Sequence, residues 1–156
     1  MRSFGEIEQI VKKAGQMLLE AHLSETDIHQ KAGLANFVTD YDVLIQKFLI
    51  ESLSALFPDS VFFGEEDTAG NRHSVGKGYT FFIDPIDGTT NFLFDYRNSC
   101  VSVGLADKST MIAGWVYNPY SDRLYSAVRD EGAYLNGKKL VMGDKGLSEG
   151  IAAFGC

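Results

Sequence analysis

The hydrophobic period of the chain changes at Ser60, and that change limits the folds open to it. Before it, apolar residues recur at Ile7, Ile10, Val11, Ala14, Leu18 and Ala21, the spacing of one helical face. Ser3-Phe4-Gly5-Glu6 has the form of a capping box at the start of that helix. A polar, glycine-containing loop follows over residues 31–35. Thr39 or Asp40 then caps a second helix, with an inner face of Leu44, Phe48, Leu53 and Leu56 and a stop at Phe57-Pro58. After Ser60 the runs become short and β-prone, at 61–63, 79–83, 101–105, 111–117, 123–128 and 133–135. Asp107-Lys108, Asn118-Pro119 and Asn136-Gly137 supply turns, and connections this short favour antiparallel neighbours over βαβ crossovers. The predicted class is α+β, with two N-terminal helices packed on one face of an antiparallel β-sheet.

One segment carries chemistry as well as structure. The apolar run Tyr79-Thr80-Phe81-Phe82-Ile83 delivers Asp84 and Asp87 to the end of a strand, on either side of Pro85-Ile86. Clustered carboxylate oxygens suit a hard divalent cation such as Mg²⁺, which prefers oxygen ligands shared with a phosphate. Gly88-Thr89-Thr90 follows at once and can expose backbone N–H groups to a phosphate. A plain alternative stands beside this reading: an Asp-Pro turn whose second Asp caps its own backbone. Glu65 and Glu66 follow an earlier strand and, being adjacent, point to opposite faces, so they do not both ligate; solvated loop acids are the alternative. Asp42 has the ordinary place of an acid in a helix's first turn, and Lys31 the ordinary exposure of a lysine.

Composition narrows the partners. At 156 residues the chain has the length of one domain, residues 1–156, with a core of its own. Its net charge of −7 argues against a nucleic-acid surface, which needs a basic stripe. An acidic chain also repels anionic substrates, a conflict that a bound divalent cation resolves by reversing the local charge. No apolar run approaches the ~20 residues of a membrane span, and Met1-Arg2-Ser3-Phe4-Gly5-Glu6 lacks the apolar core of a signal peptide. Cys100 and Cys156 have neither metal-ligand spacing nor a disulfide framework, so a reducing cytoplasm is the expectation. His22, His29 and His73 lie in polar surroundings and read as surface residues.

Asp84-Pro85-Ile86-Asp87-Gly88-Thr89-Thr90-Asn91-Phe92 resembles the signature of the inositol monophosphatase family, Mg²⁺-dependent and lithium-sensitive phosphatases. Phe63-Gly64-Glu65-Glu66 is similar to the family's Gly-Glu-Glu element, and Val38-Thr39-Asp40-Tyr41-Asp42 to its Val-Thr-x-x-Asp element. Gly114-Trp115-Val116-Tyr117-Asn118-Pro119 and Gly132-Ala133-Tyr134-Leu135-Asn136-Gly137 match its later strands and turns. The resemblance implies the N-terminal half of that family's layered α/β sandwich, with the family's C-terminal domain absent after Cys156. It further implies metal ligands at Glu65, Asp84, the Ile86 carbonyl and Asp87, with Mg²⁺ as cofactor, Mn²⁺ as substitute and Glu66 behind the ligands. Thr89 and Asp42 would form the pair that activates water, with Glu65 assisting. Gly88, Thr89, Thr90 and Lys31 would bind the phosphate.

The activity implied is hydrolysis of a small phosphate monoester, inositol monophosphate or a similar polyol or sugar phosphate, by metal-activated water. Thr90-Asn91 resembles the inositol monophosphatase branch, and not relatives acting on nucleotide or sugar bisphosphates, which are the alternative within the superfamily. A truncated, non-catalytic module acting through protein contacts is the alternative outside it. The expected partners are a small phosphorylated substrate and further copies of the same chain, with no nucleic acid and no membrane. Ile151-Ala152-Ala153-Phe154-Gly155-Cys156 reads as the start of another strand.

Overall fold

Thr39 fixes the start of the second helix through a reciprocal pair of bonds. Its side chain accepts from the Asp42 backbone N–H, while the Asp42 side chain accepts from the Thr39 backbone N–H. That capping box satisfies two of the amide donors a helix start leaves without partners. The computed structural model describes residues 4–22, 28–30, 37–66, 78–141, 143, 146 and 149. In chain order the elements are α1 (Phe4–Leu19), β1 (Ile28–Gln30), β2 (Phe37–Thr39), α2 (Asp40–Leu56), β3 (Val61–Gly64) and β4 (Tyr79–Asp87). After them come α3 (Thr89–Leu93), β5 (Cys100–Asp107), β6 (Thr110–Asn118), β7 (Arg123–Val128), β8 (Gly132–Leu135) and β9 (Lys138–Lys139). The expected capping box at Ser3 and the expected strand over residues 151–156 lie outside the described residues.

β1 and β2 form a separate antiparallel pair, and β3 to β9 form one sheet in sequence order. Every neighbouring pair in that sheet is antiparallel except β3 and β4, which run parallel. The class is therefore α+β as expected, with a mixed sheet. The parallel pair was hidden because the later turns are short, whereas residues 65–78 are long enough in sequence for the crossover that parallel strands need.

α1 and α2 cover one face of the sheet. Ile7, Val11, Ala14 and Leu18 from α1 and Ile45, Leu49 and Leu53 from α2 meet Phe81, Ile83, Val101, Val103, Leu105, Trp115 and Leu124. Burying each large apolar side chain contributes about 1.5–3 kcal/mol relative to leaving it in water. The inner face expected for α2 is corrected in part: Leu53 is buried as expected and Phe48 and Leu56 pack at the core's edge, but Leu44 is exposed, and Ile45, Gln46 and Leu49 point inward with Asp42. Both Leu44-Phe48 and Ile45-Leu49 have four-residue spacing, so the pattern alone does not choose between them. Gly15 of α1 lies against the Tyr117 ring, where a Cβ would collide with the ring carbons. Among the described residues no helix is long and apolar enough to cross a membrane.

Candidate active site

Residues three apart on a regular strand face opposite ways, so Asp84 and Asp87 should diverge. The register of β4 shows why they do not. Asp84 pairs with Ser102 and Asp87 with Cys100, so β4 advances three residues where β5 advances two. That extra residue at Pro85-Ile86 is a β-bulge, and it returns Asp87 to the face Asp84 occupies. The Cys100 thiol confirms the placement, standing 3.6 Å from Asp87 Oδ2. Burial, and then Asp87 and Asp84, push that thiol up to about 12.

Glu65 joins this face from the end of β3. Its backbone N–H donates to the Ile83 carbonyl at 3.0 Å, continuing the β3–β4 ladder, and its carboxyl shares a hydrogen bond with Asp84. Burial, the Glu65 carboxylate, that shared hydrogen bond and Asp87 hold the Asp84 carboxyl up at about 8. Asp84 Oδ1 is buried without a hydrogen-bond partner. A crowded set of acids with an orphaned carboxylate oxygen is destabilised unless positive charge joins it. The donor chemistry therefore fits a hard divalent cation, although among the described residues no three acid, imidazole or thiol side chains already close into a cage. The recess beside the acids has a volume of about 460 Å³ and is walled by Phe63, Phe82, Ser102 and Gly104.

Asp42 reaches the site from the other side. It is 1% exposed. Its Oδ2 accepts from the Thr39 backbone N–H at 2.7 Å and from the Thr39 hydroxyl at 2.6 Å. Its Oδ1 faces Thr89, whose hydroxyl lies 3.4 Å away and 3.0 Å from the Ile86 carbonyl. Two acceptors thus compete for one threonine proton. Gly88, at φ 89° and ψ 45°, turns the chain from β4 into α3 and sets Thr89 there; a residue with a Cβ is strained in that conformation.

The structure brings together Asp42, Glu65, Asp84, Ile86, Asp87, Gly88 and Thr89, each named from the sequence, and Thr90 follows them exposed in α3. The Glu66 backbone N–H donates to Gln46 Oε1 at 3.1 Å. Gln46 was not expected: it packs so closely on Gly64 that a Cβ there would overlap its amide. Asp40 leaves the site to pair with His29 at 2.9 Å, and both are exposed. His22 is exposed as well. Lys31 and His73 lie outside the described residues.

Known proteins share this chain's sequence pattern and fold. Residues 4–154 match the Inositol monophosphatase family. Inositol monophosphatase 3 of Solanum lycopersicum is 36% identical over 149 residues, 90% of this chain and 55% of that protein. The extragenic suppressor protein suhB from Bartonella henselae superposes with a TM-score of 0.79 at 29% identity, over 91% of this chain and 55% of that one. SaIMPase-II of Staphylococcus aureus, solved with inositol monophosphate bound, gives a TM-score of 0.73 at 27% identity, over 93% of this chain and 51% of that one. The chain belongs to the inositol monophosphatase family. It spans about half the length of the relatives it matches.

Proposed function

We propose that the chain carries the metal-binding half of a phosphomonoesterase that hydrolyses inositol monophosphate or a similar small polyol or sugar phosphate. The observation behind this reading is the crowded Glu65–Asp84–Asp87 set, with its orphaned Asp84 oxygen, beside the Asp42–Thr89 pair. Glu65, Asp84, Asp87 and the Ile86 carbonyl would hold Mg²⁺, or Mn²⁺ in its place. When bound, the cation supplies Lewis-acid stabilisation of phosphate oxygens and a more acidic water.

The chain's own groups do the rest. The Thr89 hydroxyl donates a hydrogen bond to Asp42 and accepts one from the attacking water, fixing the water's orientation. Asp42 is held by two bonds from Thr39, so its free rotation does not blur that orientation. Gly88, Thr89 and Thr90 present the backbone N–H groups of the turn to the phosphate, and Lys31 adds a positive charge. Water attacks phosphorus in line, the P–O ester bond breaks, the proton lost by the water passes through solvent to the ester oxygen, which leaves as the alcohol, and no phosphoenzyme forms. Exposed Phe82, Val116 and Tyr125 on the sheet face away from the helices support self-association of the chain. Sedimentation at increasing concentration checks it, and a single monomeric species throughout opposes it.

A second reading has one observation in its favour. Among the described residues the acids do not already form a three-ligand cage, as a non-catalytic module acting through protein contacts would allow. Phosphate release from inositol 1-phosphate, with and without Mg²⁺, separates the two. Mg²⁺-dependent release by this chain or a longer natural form supports the enzyme; none from either supports the module.

A further inference from the structure

Ser99 precedes β5 and is only 1% exposed, a buried hydroxyl with no place in the chemistry above. It donates to the Gly88 carbonyl at 2.9 Å. The same carbonyl accepts from the Phe92 backbone N–H at 3.0 Å, the first turn of α3. A carbonyl offers two lone pairs, and both are used here. Behind Ser99 stands the Tyr120 phenol. Asn91 Nδ2 donates to the neighbouring Asn98 carbonyl at 2.9 Å, tying α3 to the same stretch.

The peptide between Gly88 and Thr89 is planar, so fixing its carbonyl also fixes the nitrogen and Cα of Thr89. Gly88 is the residue least able to hold that plane by itself, because it has no side chain and sits at positive φ. The direction of the Thr89 hydroxyl towards Asp42 thus depends on what grips Gly88. We infer that Ser99 is a positioning residue: its hydrogen bond to the Gly88 carbonyl aims the Thr89 hydroxyl at Asp42. This deepens the proposed function and rests on it for the kinetic part alone.

Three variants of the whole chain test it. Ser99→Ala removes the hydroxyl and adds no volume, and Gly88 keeps its Phe92 bond, so no buried carbonyl is orphaned. Ser99→Thr and Ser99→Val have the same shape and differ in the hydroxyl. Ser99→Ala and Ser99→Val should lower kcat on inositol 1-phosphate about 10-fold, with KM and the Mg²⁺ midpoint unchanged, while Ser99→Thr stays near the parent. In a Thr89→Ala background Ser99→Ala should cost nothing further, because the group it positions is gone. Three-bond NMR couplings of Thr89 should report one χ1 rotamer in the parent and averaging in Ser99→Ala. A single Thr89 rotamer in Ser99→Ala, or a full additional loss in the Thr89→Ala background, overturns the inference. If the parent releases no phosphate the functional reading fails, and the couplings still decide the positioning role.

Discussion

Asp42 Oδ1 stands 3.4 Å from Thr89 Oγ1, although 47 residues separate them in the chain. α2 supplies the acid and the turn after β4 supplies the hydroxyl, so the pair exists only when helix layer and sheet are packed together. If Thr89 orients the attacking water, Thr89→Ala should lower kcat by about 10²-fold or more, in line with the loss of the group that aligns the nucleophile. Mg²⁺ affinity should change less than about 2-fold, since the threonine acts mainly in the transition state. Steady-state kinetics at saturating Mg²⁺ with a parallel calorimetric titration check this. Unchanged turnover with weak Mg²⁺ binding would make Thr89 a ligand instead.

Asp84 is the acid most in need of a cation, being half-buried with one buried oxygen unpartnered. Mg²⁺ should raise the melting temperature of the parent by mass action, worth about 2.7 kcal/mol at a hundred times its dissociation constant. Asp84→Asn should abolish most of that gain. A thermal scan across millimolar Mg²⁺ that leaves the parent unmoved contradicts the site.

The same carboxyl makes a pH prediction for the metal-free chain. Burial first, then Glu65 and Asp87, raise it from the ordinary 3.8 to about 8. Between those values the folded state keeps a proton that the unfolded state has released, so stability falls as pH rises through that window. Urea unfolding in EDTA should show the fall from pH 5 to pH 8, and Asp84→Asn should remove most of it. A parent slope equal to that of Asp84→Asn contradicts the assignment.

Much of this was legible in the sequence, and the rest was hidden for physical reasons. The acids of the 84–87 segment could be named from it, but not their common face, since their odd spacing predicts divergence until the bulge in the β4–β5 register is seen. The Thr39–Asp42 capping box was readable from Thr-x-x-Asp, the pattern applied instead at Ser3. α3 is five residues long, too short for its period to show. β1 and β9, at three and two residues, lack a run long enough to alternate. Ser99 and Gln46 carry no motif at all; only packing sets them against Gly88 and Gly64.

The number of cations tests how far this half of the family's length suffices. On the proposed reading Glu65, Asp84, Asp87 and the Ile86 carbonyl would complete one site with waters, and a second cation would need a further carboxylate, since Mg²⁺ dehydrates reluctantly. Calorimetric titration of the 156-residue chain should therefore give one well-occupied Mg²⁺ at most. Two tight sites would show that the acids described here hold both.

The most direct measurement is phosphate release from inositol 1-phosphate by the parent and by Thr89→Ala, each with Mg²⁺ and with EDTA, in this chain and in any longer natural form. Mg²⁺-dependent release should be weak in this chain, stronger in the longer form, and cut about 10²-fold or more by Thr89→Ala. Equal release with Mg²⁺ and with EDTA, or equal release by the parent and Thr89→Ala, would contradict the proposed function.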